Sequence, residues 1–222
     1  MMKIPSVEEL FDLSHTAAAP LLREVSHAWE ALPRLAEFIR IYQKTLSREE
    51  YCEVSEGVFI HKEARVAKSA EILPPTVVGK GTEIRHGAFI RGSALIGEGC
   101  VVGNSSEIKN AILFDGVQVP HYNYVGDSIL GYKAHMGAGA IASNFRSDKG
   151  SISLHIGEEK VETGLRKLGT LLGDEAEIGC SCVLCPGSIV GKRSIVYPLC
   201  RVRGVIREDS IYKDEGNLVK RF

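Results

Sequence analysis

Residues 60–108 read IHKEARVAKSAEILPPTVVGKGTEIRHGAFIRGSALIGEGCVVGNSSEI, with an aliphatic residue at every sixth position. Neither a helix, with a period of about 3.6 residues, nor an ordinary strand, with a period of two, produces such a repeat. A β-helix of hexapeptides does, because each aliphatic side chain points inward from a short flat strand. The repeated residues are Ile60, Val66, Ile72, Val78, Ile84, Ile90, Ile96, Val102 and Ile108, and later Leu172, Ile178, Leu184, Val190, Val196 and Val202.

The bulk composition excludes some classes of protein. The chain has 222 residues and a formal net charge of −1. This length favours one domain with an appendage, and the charge disfavours nucleic acid or an anionic membrane surface as the main partner. No apolar run approaches the roughly 20 residues that span a bilayer, and the beginning, MMKIPSVEEL, has no apolar segment typical of a signal peptide. We therefore expect a cytoplasmic protein with no membrane contact.

The repeat divides the chain into regions. Residues 1–55 lack it and begin with a capping box at residues 6–9, followed by amphipathic pieces, so we expect a short helical appendage. Residues 56–207 carry the repeat, interrupted by a polar excursion at 145–168 that we interpret as a loop or hairpin. Residues 208–222 read as a polar tail. We expect the appendage to cover the first coil, whose strand edges would otherwise be open.

The six cysteines have two interpretations. Cys180, Cys182 and Cys185 form C-x-C-x-x-C, a spacing that also occurs in metal and redox sites. However, Cys100, Cys182 and Cys200 occupy the position two before the repeated aliphatic residue, where other coils have alanine, serine or threonine. We therefore interpret these cysteines as small buried thiols, with a zinc or redox role as the alternative.

Polar residues concentrate where the repeat slips after Ile108. A histidine close to a carboxylate and a tyrosine can act as a general base, and lysine or arginine can hold a phosphate. The same residue types are also typical of a solvated surface, so residue types alone leave both interpretations open. The residues concerned are Asn104, Glu107, Lys109, Asn110, His121, Tyr122, Asn123, Tyr124, Asp127 and Asn144.

A long segment of the repeat region resembles a known family. It reads GEGCVVGNSSEIKNAILFDGVQVPHYNYVGDSILGYKAHMGAGAIASNF and is similar to the left-handed β-helical acetyltransferase domain of two kinds of bifunctional enzyme. These are the glucosamine-1-phosphate acetyltransferase/N-acetylglucosamine-1-phosphate uridylyltransferases and the archaeal-type sugar-1-phosphate nucleotidylyltransferases. The motifs are V-G-N-x-x-E-x-K at 102–109, H-x-x-Y-x-G-D at 121–127, G-A-G at 137–139 and N-F at 144–145, and T-G-L-R-K-L-G at 163–169 resembles the archaeal-type branch. The likeness covers about residues 80–206 and leaves out the nucleotidylyltransferase domain.

The resemblance implies a fold, a reaction and a set of residues. The fold is an all-β, left-handed parallel β-helix with the helical appendage. The reaction is acetyl-CoA-dependent N-acetylation of a hexosamine 1-phosphate or related amino sugar in sugar-nucleotide biosynthesis, with no metal. His121 would take the proton of the acceptor amine, and Asn144 would lie near the amine and the acetyl carbon. The remaining positions carried over are Arg91, Lys109, Tyr124 and Lys149 for the sugar phosphate, and Ala138, Cys180, Arg201 and Arg203 for acetyl-CoA.

Partners and alternatives follow from the same resemblance. Three β-helices associate side by side in that family, so a homotrimer with acetyl-CoA between subunits is implied. His135 and Phe145 depart from the asparagine and tyrosine of the bacterial motif, which leaves the acceptor open. One alternative is a non-catalytic trimeric binding or regulatory module that works with a separate nucleotidyltransferase chain. Another is O-acylation, whereas a zinc-dependent carbonic-anhydrase-like β-helix is disfavoured because no H-x₄-H pair accompanies a third histidine.

Overall fold

A computed structural model describes residues 4–156 and 159–221. Residues 157 and 158 of the predicted excursion and residue 222 of the predicted tail lie outside the described residues. The first elements are the helices α1 (Val7–Leu10), α2 (Ala19–Arg23) and α3 (Leu35–Gln43), with 3₁₀ helices at Leu13–His15 and Ala28–Arg34. The predicted capping box is present, since the Ser6 hydroxyl accepts from the Glu9 N–H at 3.2 Å and the Glu9 carboxylate accepts from the Ser6 N–H at 2.8 Å. The sequence therefore located the start of α1.

From residue 51 onward the regular elements are strands. In chain order they are β1 (Tyr51–Ser55), β2 (Val58–His61), β3 (Arg65–Val66), β4 (Glu71–Ile72), β5 (Thr76–Val78), β6 (Glu83–Ile84), β7 (Phe89–Ile90), β8 (Ala94–Ile96), β9 (Val101–Asn104), β10 (Glu107–Leu113), β11 (Gln118–His121), β12 (Tyr124–Leu130), β13 (His135–Met136), β14 (Ile141–Ala142), β15 (Ser153–Ile156), β16 (Glu159–Glu162), β17 (Thr170–Leu172), β18 (Glu177–Ile178), β19 (Val183–Leu184), β20 (Ser188–Val190), β21 (Ile195–Val196), β22 (Arg201–Val202), β23 (Val205–Ile206), β24 (Ser210–Asp214) and β25 (Asn217–Lys220).

The coils stack as parallel strands on three faces. The first face contains β2, β5 and β8, the second begins with β3 and β6, and the third begins with β4 and β7. On the first face Val58 pairs with Thr76, an offset of 18 residues, and Ile90 pairs with Ile108 at the same offset on the third. Eighteen residues are three hexapeptides and one turn of the solenoid, which has about eight turns. The predicted fold class, a left-handed parallel β-helix with a helical appendage, is confirmed.

The repeated aliphatic residues form the interior. From Val78 onward all of them are buried. Val66 in the first coil is 36% exposed, because no coil precedes it. The small residues at the corners are buried from Thr76 onward, and several that carry a hydroxyl or a thiol donate to carbonyls of the following coil. The Thr82 hydroxyl donates to the Gly97 carbonyl at 2.7 Å, and the Cys100 thiol donates to the Phe114 carbonyl at 3.1 Å.

The cysteine prediction is confirmed for the corner positions. Cys100, Cys182 and Cys200 are buried and free. Burial raises the pKa of the Cys100 thiol to about 12, so this sulfur stays protonated at neutral pH. The Cys182 thiol donates to the Tyr197 carbonyl at 3.0 Å, in the same way that the Cys100 thiol donates to the Phe114 carbonyl. These side chains therefore act as small corner residues.

The last segment of the appendage, β1, covers the edge of the first coil as expected, whereas its helices lie along the outside of the first face, which was not expected. The Asp12 N–H donates to the Asp174 carboxylate at 2.7 Å, late in the solenoid, whereas the Gln43 amide donates to the Thr76 carbonyl at 3.1 Å, near its start. The physical reason is a second apolar row. Residues one before the repeated position, such as Val77 and Leu95, point outward on this face and are buried beneath the helices.

The edge of the first coil is covered by the end of the appendage. Strand β1 pairs antiparallel with β2, with Tyr51 opposite His61, and so occupies the edge of the first face. The predicted polar tail likewise forms strands. Strand β24 adds to the second face, with Ile195 opposite Ile211, and β25 folds back on it. The hydrogen bonds of these two hairpins occupy strand edges at the two ends of the solenoid.

Two irregularities mark the middle of the β-helix. The slip in the repeat is a corner shortened by one residue, because Ala94 pairs with Ala111 and Ala111 with Ser128, offsets of 17. The excursion is a hairpin of β15 and β16, joined at its root by a bridge between Phe145 and Lys167. Across it the ladder continues without loss of register, since Ile129 pairs with Leu171. Both irregularities fall at the corner that follows the third face.

Candidate functional site

The corner after the third face carries a row of polar side chains. Ile90 pairs with Ile108, and Lys109 pairs with Gly126, so the residues that follow each third-face strand stack one above another. This stacking brings four predicted residues to one cavity of about 300 Å³. Its lining consists of Arg91, Lys109, Tyr124, Asn144, Phe145 and Lys167. The structure therefore collects most of the residues assigned to the sugar phosphate, together with one assigned to catalysis.

Asp127 connects this cluster. Its side chain is only 6% exposed, and its carboxylate accepts from Lys109 Nζ at 3.0 and 3.1 Å. It also accepts from Asn110 Nδ2 at 2.9 Å and from Asn144 Nδ2 at 2.5 Å. Asn110 and Asp127 both adopt positive φ, at 47° and 49°, because they form the shortened corner. The carboxylate thus holds three side chains, two from the coil before it and one from the coil after it, in fixed positions.

Gly126 leaves the space in which two of these side chains meet. Asn144 Nδ2 donates to Tyr124 Oη at 3.1 Å, directly above the glycine. A Cβ at position 126 would lie 2.5 Å from Tyr124 Oη and 2.7 Å from Asn144 Nδ2. Both atoms are at the ends of side chains, so the added carbon would displace them rather than the backbone. The glycine of the H-x-x-Y-x-G-D motif is therefore required by the site.

The electrostatic state of the cavity follows from its pairs. Arg91 Nη1 donates to Glu107 Oε1 at 2.8 Å, and this hydrogen bond raises the pKa of the guanidinium. Burial raises the pKa of the Tyr124 phenol, which therefore remains protonated. Because Tyr124 Oη accepts from Asn144, its own O–H is available to donate. The cavity thus presents a hydroxyl donor between two cations that already have carboxylate partners.

His121 lies elsewhere, at the corner between the second and third faces. Its side chain is exposed and makes no hydrogen bond or ion pair to another residue in the described part of the chain. Two of the residues predicted for acetyl-CoA, Ala138 and Cys180, continue this corner in the next coils, since the Gly139 N–H donates to the His121 carbonyl and the Ser181 N–H donates to the Ala138 carbonyl. Cys180 is exposed beside them. Within one chain, His121 and Asn144 are therefore at opposite corners of the third face.

The remaining predicted residues, Arg201, Arg203 and Lys149, do not line this cavity. Arg201 and Arg203 are exposed and line a second depression of about 430 Å³, together with Arg146 and Cys185. Arg201 pairs with Glu215 at 2.7 Å. Lys149 is an exposed turn residue of the excursion with φ of 59°, and it does not line the cavity that contains Lys109. Instead Lys167, from the other side of the hairpin root, contributes the cation there.

Sequence reasoning missed three residues of this corner. The sequence shows Asp127 only as a polar residue of the motif, although it is the centre of the hydrogen-bond network. In the sequence Phe145 is a departure from the family pattern, and no role follows for Lys167. The bridge between Phe145 and Lys167 brings both to the cavity. The available signal was the T-G-L-R-K-L-G motif, which contains Lys167.

Two further searches concern metal ions and membranes. Within residues 4–156 and 159–221, no group of three or more histidine, cysteine, aspartate or glutamate side chains is arranged to hold a metal ion. The described helices are all too short or too polar to cross a bilayer.

Comparison with known proteins places the chain beside bifunctional sugar-nucleotide enzymes. It is 37% identical over 135 residues to the bifunctional protein GlmU of Methanococcus vannielii, covering 60% of this chain and 32% of that protein. It is 30% identical over 198 residues to GlmU of Methanococcus maripaludis strain C5, covering 88% and 48%. The chain thus spans less than half the length of these relatives. The homologues are those that the motifs predicted, matched over part of their length.

One solved structure and one negative result complete the comparison. The acetyltransferase domain of PglB from Neisseria gonorrhoeae, in complex with acetyl coenzyme A, is 19% identical, with 74% of this chain and 57% of that chain covered and a TM-score of 0.40. No protein-family model matches the chain.

Proposed function

We propose that this chain, a relative of the acetyltransferase part of GlmU, is an acetyl-CoA-dependent N-acetyltransferase of the hexapeptide type. The proposed acceptor is a hexosamine 1-phosphate or related amino sugar, and the proposed compartment is the cytoplasm. The observation that carries the proposal is the cavity at the third-face corner, where Lys109, Tyr124 and Asn144 from three stacked coils meet around Asp127. These are motif residues of the relatives, and the fold holds them in one hydrogen-bonded cluster.

The proposed reaction needs positioning more than strong chemistry. His121 removes a proton from the sugar ammonium, and the neutral amine attacks the thioester carbonyl of acetyl-CoA. The attacking nitrogen loses its second proton to water, and the tetrahedral oxyanion collapses with cleavage of the C–S bond. The CoA thiolate takes the proton held by His121 and leaves as a thiol. The Ala138 N–H is suited to the oxyanion, because it makes no hydrogen bond within the described residues. No step requires a metal.

The proposed assembly is a homotrimer with each working site between chains. The cavity lined by Lys109, Tyr124 and Asn144, hereafter the sugar cavity, lies at the opposite corner of the third face from His121. A neighbouring chain would therefore bring its own His121 to the sugar cavity. Exposed apolar side chains support such a contact on and beside the third face. They are Tyr122, Ile141, Val183 and Leu199, with exposures of 65%, 39%, 40% and 82%. Acetyl-CoA would lie in the same groove, along Ala138 and Cys180 and towards the arginines at 201 and 203.

The test is CoA release from acetyl-CoA with a panel of amino-sugar phosphates. His121→Ala should lower turnover by about 10²–10⁴-fold, the usual contribution of a positioned general base, and leave acetyl-CoA affinity unchanged. Lys109→Ala should mainly raise the acceptor KM. His86→Ala is a matched control, because His86 is an exposed histidine at the same corner two coils earlier. Full activity of His121→Ala would remove the proposed base.

A second candidate is a non-catalytic trimeric binding module that associates with a separate nucleotidyltransferase chain. The observation that favours it is that the His121 imidazole has no hydrogen-bond partner among the described residues to orient it as a base. The two candidates differ in their ligands. The enzyme must bind acetyl-CoA, whereas the module binds a nucleotidyltransferase and sugar phosphate without acetyl-CoA. A calorimetric titration of the trimer with acetyl-CoA therefore separates them.

A further inference from the structure

A larger cavity of about 530 Å³ adjoins the sugar cavity, and the appendage forms one of its walls. The two cavities share Phe145 and Lys167. The far wall is built from Leu32 and Pro33 of the appendage, and the root of the excursion adds Leu165 and Arg166. A hexosamine 1-phosphate is small enough for the first cavity alone, so the proposed function leaves the second without an occupant.

The distribution of charge points to an anion between the cavities. Lys109 and Arg91, to which the sequence assigned the phosphate, are paired with Asp127 and Glu107. Lys167 has no ion pair among the described residues, and the Arg166 guanidinium contacts only the Lys149 carbonyl, at 3.5 Å. The uncompensated positive charge is therefore at the boundary and in the second cavity. The Asp127 carboxylate also lines the second cavity, but it is paired with Lys109. Lys167 and Arg166 are therefore the cations of the two cavities without a carboxylate partner among the described residues, and a phosphate group gains most beside them.

The second cavity also contains apolar surface suited to a flat ring. Leu32 is buried at its base, and Leu165 is half-buried beside it. The Phe145 ring is 38% exposed, at the boundary of the two cavities. Exposed aromatic rings in such positions bind planar bases by stacking, with little dependence on which base is present. Inorganic phosphate or a simple sugar phosphate would leave this surface uncovered.

We infer that the acceptor is an amino sugar carried on a nucleoside diphosphate. The sugar occupies the first cavity, the diphosphate bridges to Lys167 and Arg166, and the base lies against Phe145 between the appendage and the excursion. This inference rests on the proposed function for the reaction, but the binding of the nucleotide is independent of it. The appendage and excursion thereby become the part of the site that selects the substrate.

The binding test uses the full chain in isothermal titration calorimetry with UDP, dTDP, GDP, ADP and inorganic pyrophosphate. At least one nucleoside diphosphate should bind 10-fold or more tightly than pyrophosphate. Phe145→Leu, which keeps an apolar side chain and removes the ring, should weaken that nucleotide by about 5-fold or more and leave pyrophosphate unchanged. Arg166→Ala should weaken both ligands. Lys160→Ala is the control, because it removes an exposed cation of the same hairpin that is paired with Glu162.

The turnover test separates this inference from the proposed function. UDP-glucosamine and glucosamine 1-phosphate are compared as acceptors of acetyl-CoA. We expect the nucleotide-linked sugar to have a kcat/KM at least 10-fold higher, and Arg166→Ala to reduce this ratio. Nucleotide binding without any turnover would support the inference and remove the proposed reaction. Turnover of glucosamine 1-phosphate with no nucleoside diphosphate binding more tightly than pyrophosphate would overturn the inference and keep the reaction.

Discussion

Asp127→Asn should destabilise the protein through the corner network while keeping the shape of the side chain. The asparagine replaces one carboxylate oxygen by an NH₂ group, which would face the donors of Lys109 and Asn144. It also removes the negative charge beside Lys109, whose side chain is 24% exposed. Removing one partner of a buried ion pair costs about 3–5 kcal/mol, and we expect about 3 kcal/mol because the lysine can still reach water. Such a loss is a large fraction of a typical stability of about 5–15 kcal/mol.

The assay is urea unfolding followed by circular dichroism. With a slope of about 3 kcal/mol per molar urea, the expected decrease in the midpoint is about 1 M. The matched control is Asp148→Asn, which breaks the exposed pair with Arg146, and we expect no resolvable shift because water screens that pair. Lys109→Met combined with Asp127→Asn should cost less than the two single changes together, since no unpaired charge remains. Additive costs, or a loss below about 1 kcal/mol for Asp127→Asn, would refute the assigned network.

Three further predictions concern the interior, the thiols and pH. Ile90→Asp buries an unpaired carboxylate and should prevent folding, whereas Lys80→Ala, at an exposed corner, should change the free energy of unfolding by less than about 0.5 kcal/mol in the same urea assay. A thiol reagent should modify the exposed Cys180 and Cys52 in the native protein. Acetyl-CoA bound where we propose should slow the reaction of Cys180 and not that of Cys52. Equal protection of both cysteines would contradict that placement. Burial raises the pKa of Tyr51 from 10.0 to about 12, so the unfolded state loses this proton at a lower pH than the folded state. The free energy of unfolding should therefore fall as pH rises from 10 towards 12. Thermal melts across this range will measure the fall, and Tyr51→Phe should reduce it.

The fold was predictable because its inward register is written directly in the sequence. An aliphatic residue at every sixth position can be recognised without knowing which distant residues are in contact. The slip of this repeat after Ile108 located the shortened corner. The position of the appendage helices along the first face was not predicted, because it depends on the outward row that includes Val77 and Leu95. The outward row of a β-helix normally faces solvent. Its apolar residues indicate a covered face only when the outward rows of the three faces are compared with one another.

The site was predictable in membership and only partly in arrangement. The motifs identified Lys109, Tyr124 and Asn144, which the structure brings to one cavity. The role of Asp127 could not be read, because it depends on which residues stack at offsets of 17 rather than 18. Lys167 required knowledge of where the hairpin returns. His121 is separated from the cavity by the width of the third face, because the two lie at its opposite corners. The number of residues between the motifs does not give that distance.

The excursion has a consequence for the order of folding. Within each block of coils, the strands close loops of 17 or 18 residues, but Ile129 meets Leu171 across 42 residues. That closure costs about 0.8 kcal/mol more in chain entropy, so the coils before and after the hairpin should form as separate blocks that join afterwards. The appendage bonds to both blocks, through Asp12 to Asp174 and through Gln43 to Thr76. It can complete its contacts only when the blocks have joined, so a segment that precedes both blocks in the chain is the last of the three to reach its native position.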